Sequence, residues 1–157
     1  MRTLLKSGLA VAGAVALIGP ASAPLWAQGD NPDNGGRKIA ASLTGSAEVP
    51  GPGDTDGVGL FEARVNPGTE RICYTLTASS IDAATVAHIH TGALGVAGAP
   101  VLTLDTPDGD DDDSEDCQDI DRDLAQSLIQ NPESFYVNVH TGPFPNGAIR
   151  GQLRKGS

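Results

Sequence analysis

The sequence predicts an all-β fold: an antiparallel, Greek-key-like β-sandwich of about seven or eight strands with one short helix. Apolar and polar residues alternate with a period of two in several short segments, which is the pattern of half-buried strands. Gly, Pro, Asn and Asp recur between these segments about every ten residues, as in sandwiches and barrels. Only one segment has helical spacing, with Ile120, Leu124 and Leu128 at i, i+4 and i+8.

The first 27 residues have the features of a cleavable signal peptide. Arg2 and Lys6 precede an apolar run over residues 9–18 that is too short to span a bilayer, and we expect cleavage after Ala27. The mature chain would carry 8 basic and 20 acidic residues. This balance argues against nucleic acid and anionic lipid surfaces as partners, and we expect a secreted or periplasmic protein without a membrane span.

The mature chain is predicted to contain a short linker and one domain. Residues 28–36 are rich in Gly, Pro and Asn and are expected to be disordered, and residues 37–155 are expected to form the sandwich. The predicted strands lie near residues 38–43, 61–65, 72–76, 85–90, 100–104, 134–140 and 148–154. The helix is expected over 120–130, with Asp119 or Asp121 as its N-cap and Asn131-Pro132 at its end.

Residues 105–123 form the most acidic part of the chain and are predicted to be a loop. One interpretation is calcium binding through many carboxylate oxygens, and the other is a solvated, self-repelling surface loop. No register has the spacing of an EF-hand, so we favour the surface loop, which is still compatible with weak calcium association.

Cys73 and Cys117 are the only cysteines. Two cysteines in an exported chain most often pair, so we expect a disulfide. Metal ligation or redox chemistry by the thiols is the alternative, and the absence of a C-x-x-C spacing argues against it.

All three histidines lie in two similar segments, AHIHTG over residues 87–92 and VNVHTG over residues 137–142. His88 and His90 are two apart on a predicted strand and therefore share a face. If the two strands are neighbours, His140 converges on them. Three imidazoles suit copper or zinc with an open fourth position, whereas the structural alternative is that the rings hydrogen-bond to backbone at a turn.

Four further residues are predicted to accompany such a metal. Thr91 and Asn138 would orient the rings from outside the ligand set. Arg150 would stabilise an anion near the metal or, alternatively, pair with a carboxylate of a strand face. Glu48 is a candidate carboxylate ligand that the sequence does not place. There is no G-x-S-x-G motif or other nucleophilic set, so we predict no catalytic residue and lean towards binding without turnover.

Five motifs in order resemble the CHRD domain, which is named for its occurrence in chordin and is also found in secreted bacterial proteins. They are LTGSAEVP (43–50), ICYTLT (72–77), AHIHTGALGVAG (87–98), FYVNVHTG (135–142) and PNGAIRGQL (145–153). The resemblance implies an extracellular or periplasmic all-β domain with a disulfide where Cys73 and Cys117 fall. In chordin such domains belong to an extracellular antagonist of growth-factor signalling.

A fainter likeness concerns copper/zinc superoxide dismutases. These proteins also have H-x-H on a strand, a later V-H strand and a G-x-x-R segment beside the copper, here His88/His90, His140 and 147–150. The histidine-rich zinc loop of that family is missing, because residues 92–98 form only a short turn.

The sequence therefore predicts an exported CHRD-domain protein with a histidine-based copper or zinc site. The first alternative is a metal-free module that binds an extracellular protein or a matrix polymer, and the less favoured one is a copper-only, dismutase-like enzyme.

Overall fold

The computed structural model describes residues 36–107 and 112–157, and the strands in this part of the chain form one antiparallel sheet that curls on itself. The predicted signal peptide (1–27), almost all of the predicted linker (28–36) and residues 108–111 of the acidic segment lie outside the described residues. The prediction of an all-β antiparallel fold with one short helix is confirmed.

The described residues contain nine strands and one α-helix. The strands are β1 (Arg37–Thr44), β2 (Val58–Asn66), β3 (Arg71–Ser79), β4 (Ala84–Thr91), β5 (Pro100–Leu104), β6 (Asp112–Asp119), β7 (Phe135–Thr141), β8 (Ile149–Gln152) and β9 (Arg154–Lys155), and the helix is α1 (Arg122–Gln130). Their order in the sheet is β5-β4-β7-β8-β1-β2-β3-β6, and β9 pairs with β1. The predicted last strand, 148–154, is divided into β8 and β9.

Side-chain hydrogen bonds join the two edges of the sheet. The backbone N–H of Asp105, just after β5, donates to the Tyr74 hydroxyl on β3 at 2.8 Å. From β6, Gln118 Nε2 donates to the carbonyl of Thr103 at 3.0 Å, and Ser114 Oγ donates to the carbonyl of Asp105 at 2.9 Å. The edge strands β5 and β6, which are distant in strand order, therefore meet through side chains.

The core lies on the concave side and follows the period-two pattern. The alternate apolar residues of β1, β2, β3, β4 and β7 are buried there, and α1 adds Ala125 and Leu128, both 0 % exposed. The helix begins after Asp121, whose side chain accepts from the N–H of Asp123 at 2.8 Å. Of the two predicted caps, Asp121 is thus the one used.

The prediction that residues 105–123 form a loop is wrong for residues 112–119, which form β6. This strand pairs antiparallel with β3, and Cys117 lies directly opposite Cys73, to which it is disulfide-bonded. The predicted disulfide is confirmed. The strand was missed because it has a strand neighbour on one side only, so water reaches acids such as Glu115 and Asp119 and no apolar alternation is needed.

We expect the disulfide to hold this acidic strand on the sheet. Replacing both Cys73 and Cys117 with Ala should lower the free energy of unfolding by about 4 kcal/mol, because the cross-link restricts the unfolded chain. Without the disulfide, repulsion between the negative charges of this acidic strand favours detachment of β6 from β3. Hydrogen exchange should show lost amide protection at 112–119 and retained protection in the β1–β2 pair, and unchanged protection of β6 would contradict this role.

Candidate metal centre

The outer face of β4, β7 and β8 carries a polar cluster of buried and half-buried side chains instead of a fully solvated surface. The core-facing residues of these strands, such as Ile89 and Val139, are 0 % exposed, so their neighbours along the chain point outward. Cross-strand register places the outward residues in two rows, His88–Asn138–Arg150 and His90–Tyr136–Gln152. We call these six residues together with His140 and Glu48 the outer-face cluster.

The three histidines meet in this cluster. The centroid of the His88 ring lies 5.3 Å from that of His90 and 5.4 Å from that of His140, and the latter two are 6.3 Å apart. One ring nitrogen from each histidine lies within 4.8 Å of those of the other two. The convergence expected from the repeated motif follows from the antiparallel pairing of β4 with β7.

Two of the three rings are oriented by backbone carbonyls. His90 Nδ1 lies 2.9 Å from the carbonyl of Gly98, and His140 Nδ1 lies 3.1 Å from that of Pro145. A carbonyl can only accept, so each Nδ1 carries the hydrogen and each Nε2 has a free lone pair when the ring is neutral. Each carbonyl belongs to the connection that follows its own His-Thr-Gly motif, so the two motifs hold their histidines in the same way.

Each of the three rings also has one nitrogen without a partner. His88 Nδ1, His90 Nε2 and His140 Nε2 are buried and have no hydrogen-bond partner among the described residues. Backbone hydrogen bonding, the structural alternative for these histidines, therefore accounts for one nitrogen in each of two rings and leaves three nitrogens unexplained. A buried polar atom without a partner is costly, and the three rings are close enough together that they could hold one metal ion.

Burial lowers the pKa of all three histidines below 6.5, and neighbouring positive charge adds to the effect. For His88 the additional cause is the other two rings, for His90 it is Arg150, and for His140 it is His90. Neutral rings are the form that binds a metal.

The donor set fits a borderline transition metal. In the described part of the chain, the group close enough to share one ion consists of three histidines without a carboxylate. Imidazole nitrogen suits zinc and copper, whereas Mg²⁺ and Ca²⁺ require oxygen. Metal–nitrogen bonds are about 2 Å long, so two bound nitrogens lie at most about 4 Å apart. Closing the histidine group around an ion requires side-chain shifts on the order of 1 Å.

Glu48, the carboxylate that the sequence could not place, lies on the other side of Asn138. It is 5 % exposed, and its two oxygens accept from Asn138 Nδ2 at 2.8 and 2.9 Å. Burial raises the pKa of Glu48 to about 7, against the opposing effects of Arg150 and Asn138. Gly147 makes this packing possible, because its φ is +136° and an added Cβ would lie 2.4 Å from Glu48 Oε2.

The structure places the other predicted site residues as follows. Asn138 lies opposite His88 but donates to Glu48. The hydroxyl of Thr91 donates to the carbonyl of Ala99 at 3.4 Å, away from the rings. Arg150 is 1 % exposed and donates to backbone carbonyls, so its guanidinium does not face solvent.

Sequence reasoning missed Tyr136, whose ring stacks on that of His90 with centroids 4.8 Å apart and planes 11° from parallel. It lies two residues before Asn138 and four before His140, so the period of a strand would have placed it on the same face. The carbonyls of Gly98 and Pro145 were also missed, and backbone groups leave no signature in a sequence.

The opposite pKa shifts in this cluster predict a pH dependence that one substitution reveals. Between pH 4.5 and about 7, folded Glu48 keeps a proton that the unfolded side chain releases, so Glu48 lowers the free energy of unfolding as pH rises. The histidines act in the opposite sense: below pH 6.5 the unfolded rings take up protons first, so their contribution to stability is lost as pH falls. In Glu48→Gln only the histidine effect remains.

We therefore expect the free energy of unfolding of Glu48→Gln to rise more steeply between pH 5 and pH 7 than that of the wild type. Urea unfolding with a chelator present measures it. Replacement of the exposed Glu133 by Gln is the matched control. Equal slopes in Glu48→Gln and the wild type would refute the assignment.

Most of the described domain is similar to a known protein family. Residues 39–153 match the family model of the CHRD domain. No curated protein is similar enough to the chain to count as a relative. Among the described residues no helix is both long and apolar enough to cross a bilayer. The CHRD domain match and the Cys73–Cys117 disulfide fit an extracellular protein. Since the match covers most of the sequence, from β1 to the residue before β9, the chain belongs to the CHRD domain family.

Proposed function

We propose that this protein is an exported CHRD-domain protein that binds one copper or zinc ion through His88, His90 and His140. A water molecule would complete the coordination in the open fourth position. The signal peptide predicted over residues 1–27 would direct the chain to the periplasm or out of the cell.

One observation carries the proposal: three clustered histidines each have one buried ring nitrogen without a partner, and carbonyls fix the other nitrogen in two of those rings. Histidine ligands in metalloproteins usually donate their second N–H to a carbonyl or carboxylate, which sets the tautomer and the ring orientation. Within this donor set the order of affinities favours Cu²⁺ over Zn²⁺, and availability in the exported compartment decides which one is bound.

We infer binding without turnover. Among the described residues Glu48 is the only buried acidic residue, and Asn138 holds its carboxylate outside the histidine group. Arg150, the residue expected to guide an anion in a dismutase-like enzyme, is turned to backbone carbonyls instead. The geometry thus offers ligands and no general base beside them.

The second candidate is a metal-free interaction module for an extracellular protein or matrix polymer. It is favoured by two aliphatic side chains that project into solvent beside the histidines, Leu94 at 77 % and Val96 at 53 % exposure. Metal uptake separates the two candidates.

We expect the purified chain to take up one Cu²⁺ or Zn²⁺ in a calorimetric titration at pH 7.5. His88→Gln should weaken binding at least about a hundredfold, because even the loss of a group behind a ligand costs about 10–100-fold. His88 is the preferred position for the substitution because, unlike His90 and His140, it makes no described hydrogen bond to a backbone carbonyl. Its loss should therefore leave the fold intact.

Glu115→Gln, which removes an exposed acid from β6, is the control for binding by carboxylates and should leave the affinity unchanged. Binding should also weaken as pH falls through about 6.5, where protons compete for the imidazoles. A wild-type chain that takes up neither ion would overturn the proposal and favour the interaction module.

A further inference from the structure

Residues 92–98, which are part of the connection between β4 and β5, form a loop that packs closely on the outer-face cluster. The backbone N–H of Gly92 donates to the carbonyl of Ser134 at 2.8 Å, and that of Thr91 donates to the carbonyl of Ala99 at 3.0 Å. At Gly98 an added Cβ would lie 1.9 Å from the carbonyl oxygen of Thr91, so only glycine permits this approach. The loop therefore returns tightly to β4 and brings the Gly98 carbonyl to the His90 ring.

Arg150, which lies on β8, donates hydrogen bonds to this loop. Its Nη2 donates to the carbonyl of Val96 at 2.8 Å and to that of Ala93 at 3.3 Å. The guanidinium carbon lies 3.4 Å from the centroid of the Tyr136 ring, so the planar group is also fixed by stacking. A lysine could not make this combination, because its ammonium is neither planar nor forked.

Tyr136 connects the same loop to His90 in two ways. Its hydroxyl accepts from the N–H of Gly98 at 3.2 Å and lies 3.4 Å from the carbonyl of the same residue. Its ring stacks on that of His90. Gly98 in turn supplies the carbonyl that receives the His90 Nδ1 hydrogen.

We propose that Arg150 and Tyr136 are positioning residues that set the orientation of His90 through the 92–98 loop. Arg150 anchors the loop, Tyr136 locks Gly98 in place, and the Gly98 carbonyl then fixes the ring so that Nε2 points to the other two histidines. The inference rests on the proposed function, because orienting His90 serves the proposed metal site. It assigns Arg150 a different role from the anion-stabilising one that the sequence suggested.

The contact chain makes the effect specific to one histidine. His140 is held by the carbonyl of Pro145, which lies in the turn after β7 and makes no described contact with Arg150. His140 is therefore an internal control within the same molecule. Arg154, exposed on β9, offers the matched substitution Arg154→Lys.

The first test uses the full-length chain without metal. Imidazole ¹H–¹⁵N spectra at pH 7.5 should show Nδ1–H signals for His90 and His140, both protected from solvent exchange. Arg150→Lys should speed exchange of the His90 Nδ1–H at least about tenfold and leave that of His140 unchanged. Tyr136→Phe, which keeps the stacked ring and loses only the hydroxyl, should give a smaller change in the same direction.

The second test uses the copper-loaded protein. Arg150→Lys should lower Cu²⁺ affinity by about 10–100-fold and alter the electron paramagnetic resonance spectrum, whereas Arg154→Lys should do neither. If Arg150→Lys does not fold, as judged from its thermal transition, Tyr136→Phe alone decides the question through the His90 signal.

Two outcomes overturn the proposal. One is a His90 Nδ1–H as well protected in Arg150→Lys and Tyr136→Phe as in the wild type. The other concerns Arg150→Lys alone: its His90 signal is unchanged without metal, and its copper-loaded form binds azide more weakly than the wild type. That result would make Arg150 an anion-binding residue. Loss of the His90 signal in a protein that takes up neither copper nor zinc leaves the positioning role intact and overturns the proposed function instead.

Discussion

The structure around the histidines depends on one constraint: polar side chains on the outer face of β4, β7 and β8 are removed from water and must find partners inside the protein. Asn138 and Arg150 are 3 % and 1 % exposed, as completely buried as the apolar core. Glu48 accepts hydrogen bonds from Asn138, and Arg150 donates hydrogen bonds to carbonyls of the 92–98 loop. The atoms left without a partner include one ring nitrogen of each histidine, together with Arg150 Nη1, Asn138 Oδ1 and Gln152 Oε1.

The same constraint shapes the electrostatics. A buried arginine keeps its charge, so the free energy is lowest when the groups around it are neutral or negative. Burial lowers the pKa of all three histidines, and Arg150 adds to this effect at His90. Burial raises the pKa of Glu48 to about 7 against the attraction of Arg150. Near neutral pH the cluster therefore offers neutral imidazoles to a cation while holding one buried positive charge close to His90.

The acidic strand β6 shows a different solution. Acidic side chains such as Glu115 and Asp119 are exposed, since the strand lies at the edge of the sheet where water reaches them. Such a strand gains little from burial, and it is held by the Cys73–Cys117 bond and by the contacts of Ser114 and Gln118 with the end of β5. These contacts also bring together the two edges that would otherwise be open to other chains.

The sequence by itself determined the parts that follow from local periodicity. Alternation identified β1 to β5, β7 and β8, the spacing of Ile120 and Leu128 identified α1, and the repeated His-Thr-Gly motif singled out the three histidines. Only the tertiary structure decided that β4 and β7 are neighbours, that Glu48 faces Asn138, that Arg150 turns to the loop, and that residues 112–119 form a strand. These features depend on strand order, on backbone carbonyls and on a long-range disulfide, and none of them changes the local pattern of side chains that a sequence displays.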